Sequence, residues 1–346
     1  MTSNPGHKNE VQGLRILVVG ALSGATVDIG YSLAQAFIGL GKTCTFLDFS
    51  EYQKELLALR ADGDAAKING FLIKLQIRLI EEVQSFGPSL IVGVAQSPLN
   101  NLEVLESFKK SGIKLHYWYL EDCDVFGYWR AIAPKFDYFF TIQKSRIFEE
   151  LKKLGSNNGY YLPAAFDDSF IVIESELQVA KHRAQLSFVG APYNNRVAIF
   201  NNIKIPGFEI YGEGWHGLNE AVRVGNRRIT PSERRYIYMN SNINLNLHSS
   251  SSSAKEWRGD FVNPRTYEIA GLGGFQLTDG RELMSLHFDL NKEMRVFENT
   301  HGMLEAIKYY LNNDLERREL ADNARGRVLK EHTYRHRAME ILSLAE

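Results

Sequence analysis

Residues 261–280 read FVNPRTYEIAGLGGFQLTDG, a helix start, a helix stop and an apolar strand in immediate succession. Asn263 can accept hydrogen bonds from exposed N–H groups at a helix N-terminus. Pro264 suits the first turn, where its missing N–H has no partner to lose. Gly271 ends the helix, and Phe275–Thr278 reads as a short buried strand. A capped helix packed on a sheet accounts for all of this except Arg265 and Glu268, three residues apart on one helix face.

Working outward, the same alternation fills the chain. LRILVVG (14–20) is a continuous apolar run ending in glycine, the pattern of a buried parallel strand. A helical pattern follows to Gly39 and Gly41, then TCTFLDF (43–49), a helix over 63–86, SLIVGVA (89–95) and a helix near 101–111. IKLHYWYL (113–120), FDYFFTI (136–142) and, after another helix, YYLPAAF (160–166) come next. Strands alternating with helices predict a parallel sheet covered on both faces, and about six strands complete one doubly wound domain. DDSFIVIESELQVAKHRAQ (167–185) is charged and loosely patterned, as a connection would be. The alternation then restarts: LSFVGA (186–191) as strand, NRVAIFNNI as helix, then FEIYG (208–212), INLNLH (243–248) and GFQLTD (274–279), turning helical from 300 onward. Two similar α/β domains in tandem are expected.

The totals agree. The 346 residues are 44% hydrophobic and 23% charged, which suits two globular domains of about 150 residues each. Lys+Arg number 40 against 41 Asp+Glu, so the basic excess of a dedicated nucleic-acid binder is missing. Cys44 and Cys123 have no partner at metal-ligand spacing and read as reduced thiols. MTSNPGHKNEVQG lacks the apolar core of a signal peptide, and no run approaches a membrane span. A cytoplasmic protein is expected.

Ligands of open α/β sheets bind at the carboxyl ends of strands, which singles out four places. GALSG (20–24) puts Gly20, Ser23 and Gly24 between a strand and a helix N-terminus, where anions are favoured. With Asp48 at the end of the second strand it also imitates a dinucleotide site, so an NAD(P)-dependent oxidoreductase is one alternative. HYWYLEDCDVF (116–126) ends an aromatic strand in Glu121, Asp122 and Asp124. Mutual repulsion raises the proton affinity of at least one such acid, as a general base needs. The DCD triplet also looks like an Asp-x-Asp metal motif. FVGAPYNNRVAIF (188–200) sets the Gly190 turn and Arg196 at a helix start. The fourth place is the opening stretch, where Asp260 and Glu268 form an acid-x7-acid pair. Arg223, Arg227, Arg228, Arg234 and Arg235 in the same half read as a solvated basic face. HSSSSSAKEWRGD (248–260) is read as a lid.

LSFVGAPYNNRVAIFNNI, FEIYGEGW, YMNSNINLNLH and NPRTYEIAGLGGFQLTD resemble the C-terminal half of CgeB-type glycosyltransferases, named for spore maturation, and the ending FENTHGMLEAIKYYLNNDLERRELADNARGRVLKEHTYRHRAMEIL resembles their helical tail. HYWYLEDCDVF, FDYFFTIQKS and YYLPAAFDD fit more loosely. The resemblance implies a GT-B architecture, two Rossmann-like domains facing across a cleft. An acceptor-side domain would span 1–168, a nucleotide-sugar-binding domain 169–330, and a helix over 331–346 would pack back toward the first. It implies metal-independent transfer of a sugar from a UDP-, GDP- or dTDP-sugar to a hydroxyl of a protein, glycan or small molecule, with no tightly bound cofactor and no nucleic-acid partner. Carried over by position, Glu268 would hold the ribose hydroxyls. Arg265, Arg196, the Gly190 turn and the amides of Gly271, Gly273 and Gly274 would face diphosphate or sugar, with Tyr211 and Gly212 also on the donor side. Asp260 falls where related retaining enzymes place a sugar-contacting glutamate, one methylene longer. Gly20, Ser23, Gly24 and Glu121 would line the acceptor side, and Asp124, ahead of Asp122, would act as base. A non-catalytic protein that kept the fold is the other alternative.

Overall fold

The computed structural model describes residues 13–24, 26–170, 184–218, 223–249 and 259–345. It contains two parallel six-stranded sheets. The first comprises β1 (Arg15–Val19), β2 (Thr43–Leu47), β3 (Leu90–Val94), β4 (Lys114–Tyr119), β5 (Tyr138–Thr141) and β6 (Gly159–Tyr161), in the order β2-β1-β3-β4-β5-β6. The second comprises β7 (Ala184–Val189), β8 (Phe208–Gly212), β9 (Arg223–Asn226), β10 (Ser241–Asn246), β11 (Gln276–Asp279) and β12 (Arg295–Phe297), in the order β12-β11-β10-β7-β8-β9. By contacts the chain divides into one unit of Met1–Trp118, Lys135–Tyr138 and Leu342–Glu346, and another of Tyr119–Pro134 and Phe139–Ile341.

Burial explains why the apolar runs become strands. Ile16, Leu17, Val18 and Val19 are fully buried, as are Leu90, Ile91 and Val92, because helices cover both faces of a parallel sheet. In the second sheet Leu186, Phe188, Ile210, Ile243, Leu245 and Leu277 share one core with Phe200 and Trp215. The aromatic members stack there, with the Phe200 and Trp215 rings 5.5 Å apart. Among the described residues no helix is long and apolar enough to cross a membrane.

Most predicted elements form close to their expected bounds. The helix expected over 63–86 is Ala65–Phe86, with Asp64 accepting from Ala66 N and Lys67 N at its start. YYLPAAF yields strand only at Gly159–Tyr161, since Pro163 has no N–H to give a ladder. The helices Gln53–Asp62 and Trp129–Ile132 were missed, as were three elements of the second half. β9 and the helix Pro231–Asn240 occupy the stretch read as a solvated basic face, and the helix opens with a capping box between Thr230 and Glu233. β12 is three residues long, too short for periodicity to reveal. Residues 171–183 of the expected connection and 250–258 of the expected lid lie outside the described residues.

Candidate functional site

In the second sheet the strand order reverses between β7 and β10, and a doubly wound sheet binds ligands outside the carboxyl ends of the strands at that point. Gly190 follows β7 and Leu247–His248 follow β10. Gly190 has no room for a side chain: a Cβ there would lie 2.6 Å from Arg265 Nη2 and 3.1 Å from the Phe188 ring. At Gly212 a Cβ would collide with the Gly190 carbonyl. These two glycines let the ends of β7 and β8 meet backbone to backbone, with Gly190 N donating to Tyr211 O (2.9 Å) and Trp215 Nε1 donating to Gly190 O (2.8 Å). The Tyr211 hydroxyl donates to the buried Glu209 carboxylate.

Two guanidinium groups converge on this corner. Arg196, on the helix Asn194–Phe200, is 4% exposed. Its Nε and Nη2 donate to Leu247 O (3.1 and 2.7 Å) and its Nη1 to Ala191 O (2.9 Å). The Phe188 and Tyr193 rings lie against it. Burial, and then the neighbouring Arg265 charge, lower its proton affinity from the ordinary arginine value. Arg265 is half-buried, donates from Nη1 to Asn246 Oδ1 (3.2 Å) and lies over Phe188. Among the described residues neither arginine forms an ion pair with a carboxylate. Two like charges packed together raise the local positive potential, with the Asp279 charge acting on Arg196 in the opposite sense, and an anion would relieve it.

The helix of the opening stretch is Pro264–Gly271, and Asn263 Oδ1 accepts from Thr266 N (3.0 Å) as expected. Apart from Pro264, Arg265 and Glu268 are its only residues that are not buried. Glu268 pairs with Arg234 (3.3 Å), a member of the basic run. Of that run, Arg227 pairs with Glu233, and Arg235 lies 3.8 Å above the Phe170 ring. The glycine run differs from expectation. Leu272 N donates to Glu268 O, Gly273 N to Ala270 O and Gly274 N to Ile269 O, so these amides close the helix C-terminus and are not held out to a diphosphate. Gly273 takes the left-handed φ of +72° that such a closure requires. Gly271 makes room for the Phe166 ring and Gly274 for Asn244.

The acidic loop after β4 belongs to the same unit. Glu121 is buried and accepts from the Tyr128 hydroxyl (2.7 Å). Asp122 is half-buried; burial raises its proton affinity, the Asp124 and Asp260 charges add to the rise, and Asp124 N and Arg281 oppose it. Asp124 is exposed and paired with Arg146 at 2.6 Å. The Asp124 carboxylate is thus already engaged by a guanidinium, whereas burial raises the proton affinity of Asp122. Oxygen and sulfur atoms of Asp122, Cys123 and Asp124 lie within 4.8 Å of one another, but this set suits a metal poorly. Arg146 holds one carboxylate, and burial pushes the Cys123 thiol up to about 12, whereas metals take thiolate.

Asp260 is 8% exposed, and its carboxylate accepts from Gln143 Nε2, Lys144 N and Ser145 N. In the other unit, Gly20 makes room for Phe46, and Ser23 donates to Gln96 beside Gly24. Asp48 accepts from Ser50 N and so caps its own turn.

Sequence reading missed one arrangement. His248, Asp279 and Arg281 stand side by side after β10 and β11, with Asp279 Oδ1 accepting from His248 N (2.9 Å) and lying 2.7 Å from His248 Nδ1, and Asp279 Oδ2 paired with Arg281. Burial opposes the charge of Asp279, but His248 and Arg281 outweigh it and hold the carboxyl well below its usual range. Burial pushes His248 down to about 4 against the pull of Asp279. The imidazole is neutral, with Nδ1–H on the carboxylate side. The signal available beforehand was the repeated polar residue just past a strand end, in NLNLH and in QLTDGR.

Comparison with solved structures settles the fold. The chain superimposes on sucrose-phosphate synthase from Thermosynechococcus elongatus with a TM-score of 0.64 at 11% identity, covering 96% of this chain and 98% of that one. The HepE protein of Anabaena in complex with UDP and glucose gives 0.63 at 12% identity, covering 95% and 99%. The fold is GT-B. A putative UDP-N-acetylglucosamine 2-epimerase from Listeria monocytogenes shares it at a TM-score of 0.58 and 9% identity, covering 96% and 95%. Residues 196–343 match a family described as glycosyl transferase-like. No curated protein matches the chain significantly.

Proposed function

We propose that this protein is a CgeB-type, metal-independent glycosyltransferase of the cytoplasm, moving a sugar from a nucleoside-diphosphate sugar to a hydroxyl-bearing acceptor. The observation that carries the reading is the pair Arg196 and Arg265, cationic, packed on Phe188 and in no ion pair with a carboxylate among the described residues, at the reversal point of the second sheet. A diphosphate supplies the missing negative charge. Arg265 reaches it directly, while Arg196, committed to backbone carbonyls, acts through its charge. Such fixed cations stabilise a departing diphosphate, a task a metal serves elsewhere. Glu268, half-exposed on the same helix face as Arg265, accepts from the ribose hydroxyls. Asp122 takes the acceptor proton, and Glu121, Gly20, Ser23 and Gly24 lie on the acceptor side. Tyr211 and Gly212 shape the donor corner. The HepE complex supports a UDP-sugar as donor, and the glycosyl transferase-like match over 196–343 favours transfer over the epimerase chemistry that shares the fold. Acceptor binding is assigned to residues 1–168 and donor binding to 169–330.

A thermal-shift screen with UDP, GDP, dTDP, CDP and CMP, their sugars, and NAD(P)H tests the reading, because a ligand of the folded state raises the melting temperature. One nucleoside diphosphate and its sugar are expected to stabilise the protein and to be turned over with an acceptor. Stabilisation by NAD(P)H alone would transfer the reading to an oxidoreductase.

A further inference from the structure

The family resemblance implies a sugar contact for Asp260, but its carboxylate is already committed. Oδ2 accepts from Lys144 N (2.7 Å) and Ser145 N (3.1 Å), the opening amides of helix Ser145–Lys153, which draws no cap from its own N-terminal side chain. Oδ1 accepts from Gln143 Nε2 (3.1 Å), and Gln143 Oε1 in turn accepts from Cys123 N (2.8 Å). Gln143 and Asp260 are 6% and 8% exposed, and Cys123 is 2% exposed. Cys123 N belongs to the peptide joining it to Asp122. All these residues lie in one compact unit.

We infer that Asp260 is the positioning residue of the acidic loop, tying the segment that leads into helix Pro264–Gly271 to Asp122 through Gln143 and Cys123 N. The inference rests on the glycosyl-transfer reading for the use made of Asp122, and on hydrogen bonds alone for the tie itself. The element that presents Arg265 and Glu268 thereby fixes where the proton acceptor stands. The relay has one polarity. Cys123 N–H and the Gln143 amide are donors, so the residue at 260 must accept on both oxygens. An amide at 260 sets its N–H either against the Lys144 and Ser145 amides or against Gln143 Nε2, and in the second case turning the Gln143 amide over only moves the conflict to Cys123 N. A glutamate at 143 reverses this, since it accepts from both sides. Aspartate rather than a longer acid suits a group that must reach helix amides and Gln143 at once.

Three variants test the tie: Asp260→Asn, Gln143→Glu and the two combined. Alkylation of Cys123 by iodoacetamide at pH 8, followed by peptide mass spectrometry, reads opening of the loop, with Cys44 as internal reference. Each single variant is expected to speed Cys123 labelling about tenfold, equivalent to about 1.4 kcal/mol, with Cys44 unchanged. The double variant returns toward the native rate. The charges facing Asp122 are Asp124, Asp260 and Arg281. Removing the negative charge at 260 therefore moves the acid limb of the transfer pH–rate profile to lower pH, and because a mere helix cap would gain nothing from Gln143→Glu, recovery in the double variant marks the positioning role. Unchanged Cys123 labelling in both single variants overturns the inference, as does a double variant in which the two effects add. Because labelling needs no substrate, a response without any sugar transfer by the native protein upholds the tie and removes the glycosyl-transfer reading.

Discussion

Replacing Gly190 by alanine should weaken ligand binding, and the neighbouring replacement Gly212→Ala should cost more stability than Gly190→Ala does. At 190 the new methyl lies 2.6 Å from Arg265 Nη2, about 1 Å inside an ordinary contact of roughly 3.5 Å. The atom it meets is the end of a flexible side chain, so the arginine yields. Its bond to Asn246, already at 3.2 Å, breaks, and the guanidinium leaves the face of Phe188. The folding cost is about 1 kcal/mol of overpacking plus about 1–3 kcal/mol for an alanine held at φ +156°, a backbone strain that Gly212 at φ +145° shares. The binding cost is one charge-assisted contact to the diphosphate, about 1.5–3 kcal/mol, or about ten- to a hundredfold in Kd. At 212 the methyl meets the Gly190 carbonyl, which is backbone and is held by Trp215. The ends of β7 and β8 must part there, at a cost of about 3 kcal/mol or more. Titration calorimetry with the nucleoside diphosphate selected by thermal shift, together with denaturant unfolding of both variants, checks the pair. Full affinity in Gly190→Ala, or a larger stability loss at 190 than at 212, would refute the reasoning.

Further outcomes follow from the same site. Glu268→Ala should weaken nucleoside-diphosphate binding about ten- to a hundredfold, the worth of a hydrogen bond to a charged group; calorimetry showing native affinity for every common nucleoside diphosphate removes the ribose assignment. Asp122→Asn should abolish transfer while leaving donor affinity within about twofold, a loss confined to the chemical step, whereas Asp124→Asn should keep much of the transfer rate; equal, undiminished rates in both place the base elsewhere. Burial holds His248 and His332 at about 4 and His287 at about 3, below an unfolded value near 6.5. A depressed folded pKa contributes stability that is complete above about pH 6.5 and is lost as pH falls toward about 4 and 3. The melting temperature should therefore drop across that window, and His332→Gln should reduce the slope by about one proton; a melting temperature flat from pH 6.5 to 4 counts against neutral buried imidazoles.

How much the amino-acid order could reveal depended on how far each feature reaches along the chain. The helix Pro264–Gly271, its Asn263 cap and its stop are local, and each came from neighbouring residues. The buried strands were readable because a parallel sheet demands unbroken apolar runs, and their alternation with helices implied two doubly wound sheets. The face shared by Arg265 and Glu268 followed from helical spacing alone. Roles that depend on remote partners were not readable. Asp260 meets Gln143 across a separation of 117 residues, and His248 meets Asp279 across 31. The glycines at 271–274 look alike in sequence, yet only their neighbours show that one admits Phe166, one turns left-handed and the amides close a helix. Asp122 and Asp124 are equivalent as letters, and burial with one arginine separates them. Periodicity records which side of an element faces the core; partnership between strand ends is created only when the order β12-β11-β10-β7-β8-β9 brings them to one edge.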